Sequence, residues 1–397
     1  MRILHVTPYY APAYAFGGVV RSAEGMARAL ARRGHQVTVL TTDALSSDSR
    51  YAGPRDELRD GVRVLRARNV SVWLRGRLNL GTAFEMGRLA KGILADVDVV
   101  HLHEFRTVEN LLVLPQVKQS VVLSAHGTLN LTTGRPLIKR VWDGLFSAGM
   151  AGRIDQIIGL SQAELAEVRA VWSTYGWKLP KLGLVRIPNG VDLAEFAVLP
   201  DGREFREQYH LGDGPICLYM GRLHPRKGVD LLIEAFKAAD IPGARLVIAG
   251  PDEGLLQRLQ AMADERIVFT GYLGGQERLA ALGAADCFAL PAVGEGLPMG
   301  VLEAMAAGLP VLLTPGCNLP EVGDAGAGLI VERETGALAE TMRLMLADVD
   351  LRGQMGAAAK RLVAERFTWD AVAGQLEQVY ENCLRQTGGS VETQRAL

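Results

Sequence analysis

Arg222 and Lys227 stand in the segment Met220-Gly221-Arg222-Leu223-His224-Pro225-Arg226-Lys227-Gly228, directly after an apolar run. Arginine offers a planar fork and lysine a compact charge, so two fixed cations bracketing a turn suit a diphosphate. The same loop also reads as a solvated basic surface. A second segment, Gly294-Glu295-Gly296-Leu297-Pro298-Met299-Gly300-Val301-Leu302-Glu303, carries two acids. A hydrolase would need its two carboxyl groups about 5 Å or about 6.5–9.5 Å apart. Eight helical residues would separate the Cα atoms by about 12 Å, so two separate binding tasks fit better than one catalytic pair. Carboxylates accept hydrogen bonds from sugar hydroxyls. Pro298 suits a helix start, where no N–H is needed, and Gly300 would let a ligand approach closely.

The first half offers fewer such residues. Phe16-Gly17-Gly18-Val19 opens a helical pattern after the first apolar run. Gly17 and Gly18 would let backbone N–H groups approach an anion at a helix start. The segment lacks the spacing G-x-G-x-x-G, which disfavours a nicotinamide cofactor. His126 follows another apolar run and is a candidate site residue, with a satisfied structural histidine as the bland alternative. His101 and His103 alternate along one run and share a face. A metal pair is conceivable there, but no third ligand suggests itself, so packing is the preferred reading.

These residues need elements to hold them. Short Val- and Ile-rich runs at 2–7, 36–41, 97–103, 120–125, 156–160 and 184–187 read as parallel strands buried on both faces. Val20, Ala23, Ala27, Leu30 and Ala31 recur at helical spacing between the first two, with Arg32 and Arg33 suited to the helix end and Gly34 to the position beyond it. The second half repeats the alternation, with strands expected at 216–220, 245–249, 267–270, 287–290, 310–314 and 328–331. Turn residues at 188–203 mark a seam. The fold class is therefore α/β, with two doubly wound parallel-sheet, Rossmann-like domains. Their expected bounds are 1–195 and 196–368, followed by a terminal helix at 369–385, crossing back to the first domain, and a flexible tail at 386–397. Loops at roughly 43–60 and 128–140 carry no readable code.

The 397 residues contain 43 Lys+Arg and 44 Asp+Glu. Up to position 195 there are 25 basic and 17 acidic residues, and beyond it 18 and 27, so the net charges are +8 and −9. A basic half suggests an anionic partner. Arg63, Arg66, Arg68, Arg75 and Arg77 surround Val72-Trp73-Leu74, with no acid between 62 and 80. Such a stripe is expected to rest on anionic lipid, or else to be a solvated edge. Cys217, Cys287, Cys317 and Cys383 form no metal or redox spacing. Residues 3–20 are uncharged but broken by prolines and glycines, so no targeting segment is read and a soluble, cytoplasmic chain is expected.

Glu295 and Glu303 form the spacing E-x7-E, and Arg222 and Lys227 the spacing R-x4-K. With the Gly17-Gly18 loop, His126 and Asn189-Gly190-Val191-Asp192, the chain resembles retaining glycosyltransferases of family four over nearly its whole length. The resemblance implies a GT-B fold, two domains facing across a cleft, and hexose transfer from a nucleotide-diphosphate sugar to a carbohydrate or lipid-linked acceptor in glycan or glycolipid synthesis. It implies that Arg222 and Lys227 hold the diphosphate, Glu303 the ribose, and Glu295 the sugar. Backbone N–H groups of Leu297, Pro298's neighbours Met299 and Gly300, and Val301 would contact sugar and phosphate. His126 would sit beside the reacting sugar, Gly18 near the phosphates or acceptor, and Tyr272 and Leu273 at the base. Retention of configuration is implied, with no metal or other cofactor and no nucleic-acid partner. Two D-x-D triplets, Asp96–Asp98 and Asp348–Asp350, read as structural. Two rivals remain. A phosphorylase-like enzyme would need a pyridoxal lysine, for which no signature is seen. A non-catalytic sugar-nucleotide binder is disfavoured because every motif acid and base is present.

Overall fold

The computed structural model describes residues 1–78, 80–131 and 135–395, with backbone alone at 76–78 and 387–395. Two compact units result. The first comprises Met1–Asn189 and the chain from Trp369 onward; the second is Gly190–Thr368. The first unit thus ends at Asn189, ahead of the position 195 read from the sequence.

The first unit holds an eight-stranded sheet in the order β3-β4-β2-β1-β5-β6-β7-β8. Its strands are β1 (Arg2–Val6), β2 (Gln36–Thr42), β3 (Asp56–Arg59), β4 (Val62–Ala67), β5 (Val99–His103), β6 (Ser120–Ser124), β7 (Gln156–Gly159) and β8 (Leu184–Arg186). All pairings are parallel except that of β3 with β4. β5 and β6 are buried along their whole length, as covered parallel strands must be. β3 and β4 escaped the sequence reading. Their arginines and acids mask the strand pattern, and the antiparallel partner β3 has only half-buried and exposed residues.

The helix Gly18–Arg32 buries Val20, Ala23, Met26, Ala27 and Leu30 on one face. Its end has Arg33 as cap and Gly34 at φ 89°, a conformation glycine adopts without a Cβ penalty. Arg33 does more than face the helix dipole. Its guanidinium donates to both oxygens of Glu377 at 2.8 Å and to Asp370 at 3.1 Å. Gly25 leaves room for Trp369, since a Cβ there would lie 2.1 Å from the indole. These contacts seat the last helix, Trp369–Arg395, on the first unit. Its backbone runs helical past the expected end at 385; residues 396 and 397 of the expected tail lie outside the described residues.

The second unit holds a six-stranded, all-parallel sheet in the order β11-β10-β9-β12-β13-β14. The strands are β9 (Ile216–Met220), β10 (Arg245–Ala249), β11 (Ile267–Gly271), β12 (Cys287–Leu290), β13 (Val311–Leu313) and β14 (Gly328–Ile330). The order reverses between β9 and β12, where loops leave in opposite directions and open a crevice at the strands' carboxyl ends. In the first unit the same reversal lies between β1 and β5.

Candidate active site

The loops after β9 and β12 carry the charged residues singled out from the sequence. They are held together by backbone contacts. Val293 N–H donates to Arg226 O at 2.8 Å, and Arg226 Nε donates to Val293 O at 3.3 Å. Gly228 sits at φ 68°, and a Cβ there would meet Pro291 O at 2.4 Å, so only glycine lets the loops close this tightly. Within the first loop, Tyr219 donates to Arg222 O at 2.8 Å, and the His224 ring accepts from Arg226 N–H at 3.1 Å.

This framework brings Lys227 Nζ to 2.8 Å from Glu295 Oε2, with both side chains mostly buried. Arg222 is more open, its side chain 44% exposed, and pairs with Glu253 at 2.5 Å. Glu253, after β10, was not foreseen; no local pattern distinguishes it from any loop acid. Two cations therefore stand in one neighbourhood, each neutralised by a carboxylate that an anionic ligand can compete with. Burial, then the charge of Glu295, pushes the Tyr219 hydroxyl well above its ordinary range, so it stays a neutral donor.

Glu303 has other company. It lies on the helix Met299–Ala307, is almost fully buried, and pairs with Arg278 Nη1 at 2.8 Å. Arg278, from the helix Gly275–Ala284, also pairs with Glu195 and lies over the Phe196 ring. Pro298 is the residue before the first helical turn rather than within it. Val301 N–H donates to Pro298 O at 3.1 Å. Leu297 is buried. Gly300 makes room for protein: a Cβ there would lie 2.9 Å from Met220 O, so helix and strand end pack closely through it. After β11, Tyr272 is exposed and Leu273 buried.

In the first unit Gly17 (φ 92°) precedes the helix that Gly18 begins, and no side chain caps that start. His126 follows β6 at φ 54° and Gly127 at φ 70°. The turn is pinned by buried Glu164, whose carboxylate accepts from Gly127 N–H and from Leu160 N–H. His126 Nε2 lies 2.8 Å from His103 Nδ1, and His103 Nε2 lies 2.8 Å from His5 Nδ1. His101 bonds Tyr380 at 2.7 Å and Ser124 at 2.8 Å. His5 is the third histidine that the sequence reading did not find; one ring nitrogen of each of His5, His101 and His103 lies within 4.8 Å of the others. No local pattern marks it, since His5 and His101 become direct partners only in the β1–β5 register. Desolvation lowers His126 to about 4 and His5 to about 3, and drives His101 and His103 well below their usual range, so all four rings are neutral at pH 7.

The basic stripe does not survive as a lipid-facing surface. Arg66 is 2% exposed and bonds Glu57 and Ala11 O; Arg75 is 1% exposed and lies 3.5 Å from buried Glu109 and over Tyr9. Arg63 pairs with Asp56 at 2.7 Å. The acids missing between 62 and 80 come from a neighbouring strand and from a distant helix. Arg68 and Trp73 are exposed, and the Arg77 side chain lies outside the described residues. Each D-x-D triplet has a structural task. Asp98 receives Arg2 N–H at 2.7 Å, and Asp348 caps the helix Val349–Arg366 by accepting from Leu351 N–H at 2.9 Å. Among the described residues, no helix is long and apolar enough to cross a membrane.

Comparison with known proteins agrees with this architecture. Residues 16–195 match the family described as Glycosyltransferase Family 4, and residues 201–362 match Glycosyl transferases group 1. An uncharacterized glycosyltransferase of Methanocaldococcus jannaschii is 27% identical over 98% of this chain and 100% of its own. A phosphatidyl-myo-inositol mannosyltransferase of Mycolicibacterium smegmatis is 29% identical over 96% of this chain and 94% of its own. The solved structure of HepE from Anabaena in complex with UDP-glucose superposes with a TM-score of 0.75 at 18% identity, covering 96% of this chain and 100% of that one. Two Rossmann-like sheets, the loop pair at the β9–β12 reversal and family matches over both halves make this chain a member of glycosyltransferase family four, with the GT-B fold, built for nucleotide-sugar-dependent glycosyl transfer.

Proposed function

We propose that the protein transfers a hexose from a nucleotide-diphosphate sugar to a carbohydrate or lipid-linked acceptor, with retention of configuration and without a metal ion. The observation that carries this reading is the cluster of Arg222, Lys227 and Glu295 on the loops at the β9–β12 reversal. Cleaving the sugar–phosphate bond builds positive charge on the sugar and negative charge on the leaving diphosphate. Arg222 and Lys227 supply fixed positive charge for that leaving group, the role a metal plays elsewhere. As phosphate oxygens take over Lys227, Glu295 is released to accept hydrogen bonds from sugar hydroxyls. Retention and same-face attack rest on the family resemblance. The UDP-glucose in HepE and the phosphatidyl-myo-inositol in the mycobacterial relative's name support a nucleotide-sugar donor and a lipid-linked acceptor, respectively.

The test is nucleotide release across UDP-, GDP- and ADP-sugars with mixed acceptors and chelator present. Release with an added acceptor, and an axial or equatorial product that keeps the donor's anomeric configuration, supports the reading. Release that stops on chelation overturns metal independence, and inverted product overturns retention.

One observation favours a membrane-proximal acceptor. On the segment from the helix Pro136–Trp142 onward, Leu137, Ile138, Val141 and Leu145 are exposed beside exposed Arg135 and Arg140. Apolar side chains flanked by arginines suit an anionic lipid surface. Sedimentation with anionic liposomes that Leu137→Glu and Val141→Glu abolish would support this; sedimentation unchanged by both, or absent from the start, overturns it.

A further inference from the structure

His5 and His103 come from β1 and β5, and His126 from the turn two residues beyond β6, three neighbouring strands of one sheet. Two hydrogen bonds of 2.8 Å link them into a chain: His5 Nδ1 with His103 Nε2, and His103 Nδ1 with His126 Nε2. A neutral imidazole has one N–H and one lone pair, so the chain runs in only two ways. If protons point from His126 toward His5, the three rings are all Nε2–H tautomers. His5 Nε2–H is then a buried donor, and that atom has no partner among the described residues. If protons point the other way, all three rings are Nδ1–H tautomers, and His5 Nε2 is a buried lone pair instead. An orphaned buried N–H is the rarer and costlier of the two. The second direction is therefore favoured.

We propose that His5 and His103 are positioning residues that act through His126, fixing it as the Nδ1–H tautomer so that it offers a hydrogen-bond donor, never an acceptor, to a phosphate or sugar oxygen at the end of β6. The inference rests on the transferase reading above, with His126 at a ligand site. The hydrogen bonds support it, because His126 Nε2 then accepts from His103 and leaves only the Nδ1–H side to a ligand, while desolvation keeps the rings uncharged at pH 7. Among the described residues no carboxylate anchors the chain, and its far end is the bare His5 Nε2. His101 is bonded to Tyr380 and Ser124 and takes no part in it.

The decisive measurement is a long-range 1H–15N correlation spectrum of the full chain labelled with 15N-histidine, at neutral pH, with His126→Gln used for assignment. Nδ1–H patterns for residues 5, 103 and 126 are expected; Nε2–H patterns overturn the proposal. His5→Phe removes the first donor, so the His126 pattern should become mixed and kcat should fall roughly tenfold. His5→Asn, with an amide N–H where Nδ1 stood, should restore both. An unchanged tautomer and kcat in His5→Phe overturn the proposal. If His5→Phe does not fold, the wild-type spectrum still decides. Absence of turnover with every nucleotide sugar would sink the transferase reading while leaving the tautomer result standing, and Nε2–H patterns with intact turnover would sink this inference alone.

Discussion

The loop pair at the β9–β12 reversal and the histidine chain behind β6 solve the same problem in opposite ways. Each must give its polar groups partners within the protein. The loops satisfy theirs with opposite charges, Lys227 on Glu295 and Arg222 on Glu253. The histidines satisfy theirs with neutral hydrogen bonds between rings. A partly exposed ion pair can be opened by a competing anion, which replaces one charge partner with another. A buried neutral chain cannot open without leaving an orphan, so it holds geometry instead. On the reading proposed above, the loops receive ligand charge and the histidines store orientation.

The largest effect is expected at a buried ion pair outside both regions, where the charge can neither be opened by a ligand nor be neutral. Arg278→Met leaves Glu303 in the interior without its cation, and the chain should lose about 3–5 kcal/mol in urea unfolding. A loss below about 1 kcal/mol would mean that Glu303 finds a partner elsewhere or takes up a proton. Next in size are the loop residues. Arg222→Ala and Glu295→Ala should each lower kcat/KM by about 10²-fold, close to 3 kcal/mol at the transition state, with unfolding midpoints near wild type for Arg222→Ala. Near-normal turnover in either would remove it from the mechanism proposed above. The loops should also respond to ligand. At a hundred times its Kd, the nucleoside diphosphate that fits should add about 2.7 kcal/mol to stability, whereas the other two of UDP, GDP and ADP shift the melting temperature little. Equal shifts with inorganic pyrophosphate would mean that the loops read only phosphate.

The histidines spread their effect over pH. Their folded-state values lie below the ordinary value near 6.5, at about 4 for His126 and about 3 for His5. Between these limits the unfolded chain binds protons that the folded chain refuses. Their contribution is therefore full above about pH 6.5 and is lost as pH falls toward 4 for His126 and toward 3 for His5. The melting temperature should fall over that window, and less steeply in His5→Phe. Equal slopes in the two proteins would show that His5 does not keep its low value in the fold.

Much of this was readable in the chain itself. Apolar runs of five or six residues separated by helical spacing dictate parallel strands, because a strand covered on both faces has no polar side to display. The segments 222–227 and 294–303 announced their residue types through spacing alone, and their loops do follow β9 and β12. What could not be read was partnership. β3 and β4 were hidden because their alternating arginines imitate a solvated surface until Asp56 and Glu57 arrive from the adjacent strand. Arg75 looked like a lipid contact because Glu109 is far away in sequence and adjacent only in space. Lys227 and Glu295 were assigned separate tasks, yet the loops press them together; His5 meets His101 and His103 only because β1 and β5 pair in register. The sequence determined which segments become strands, which loops lie at their carboxyl ends and which groups there carry charge. Strand order decided who meets whom, because hydrogen bonds and ion pairs act over a few ångströms and take no account of distance along the chain.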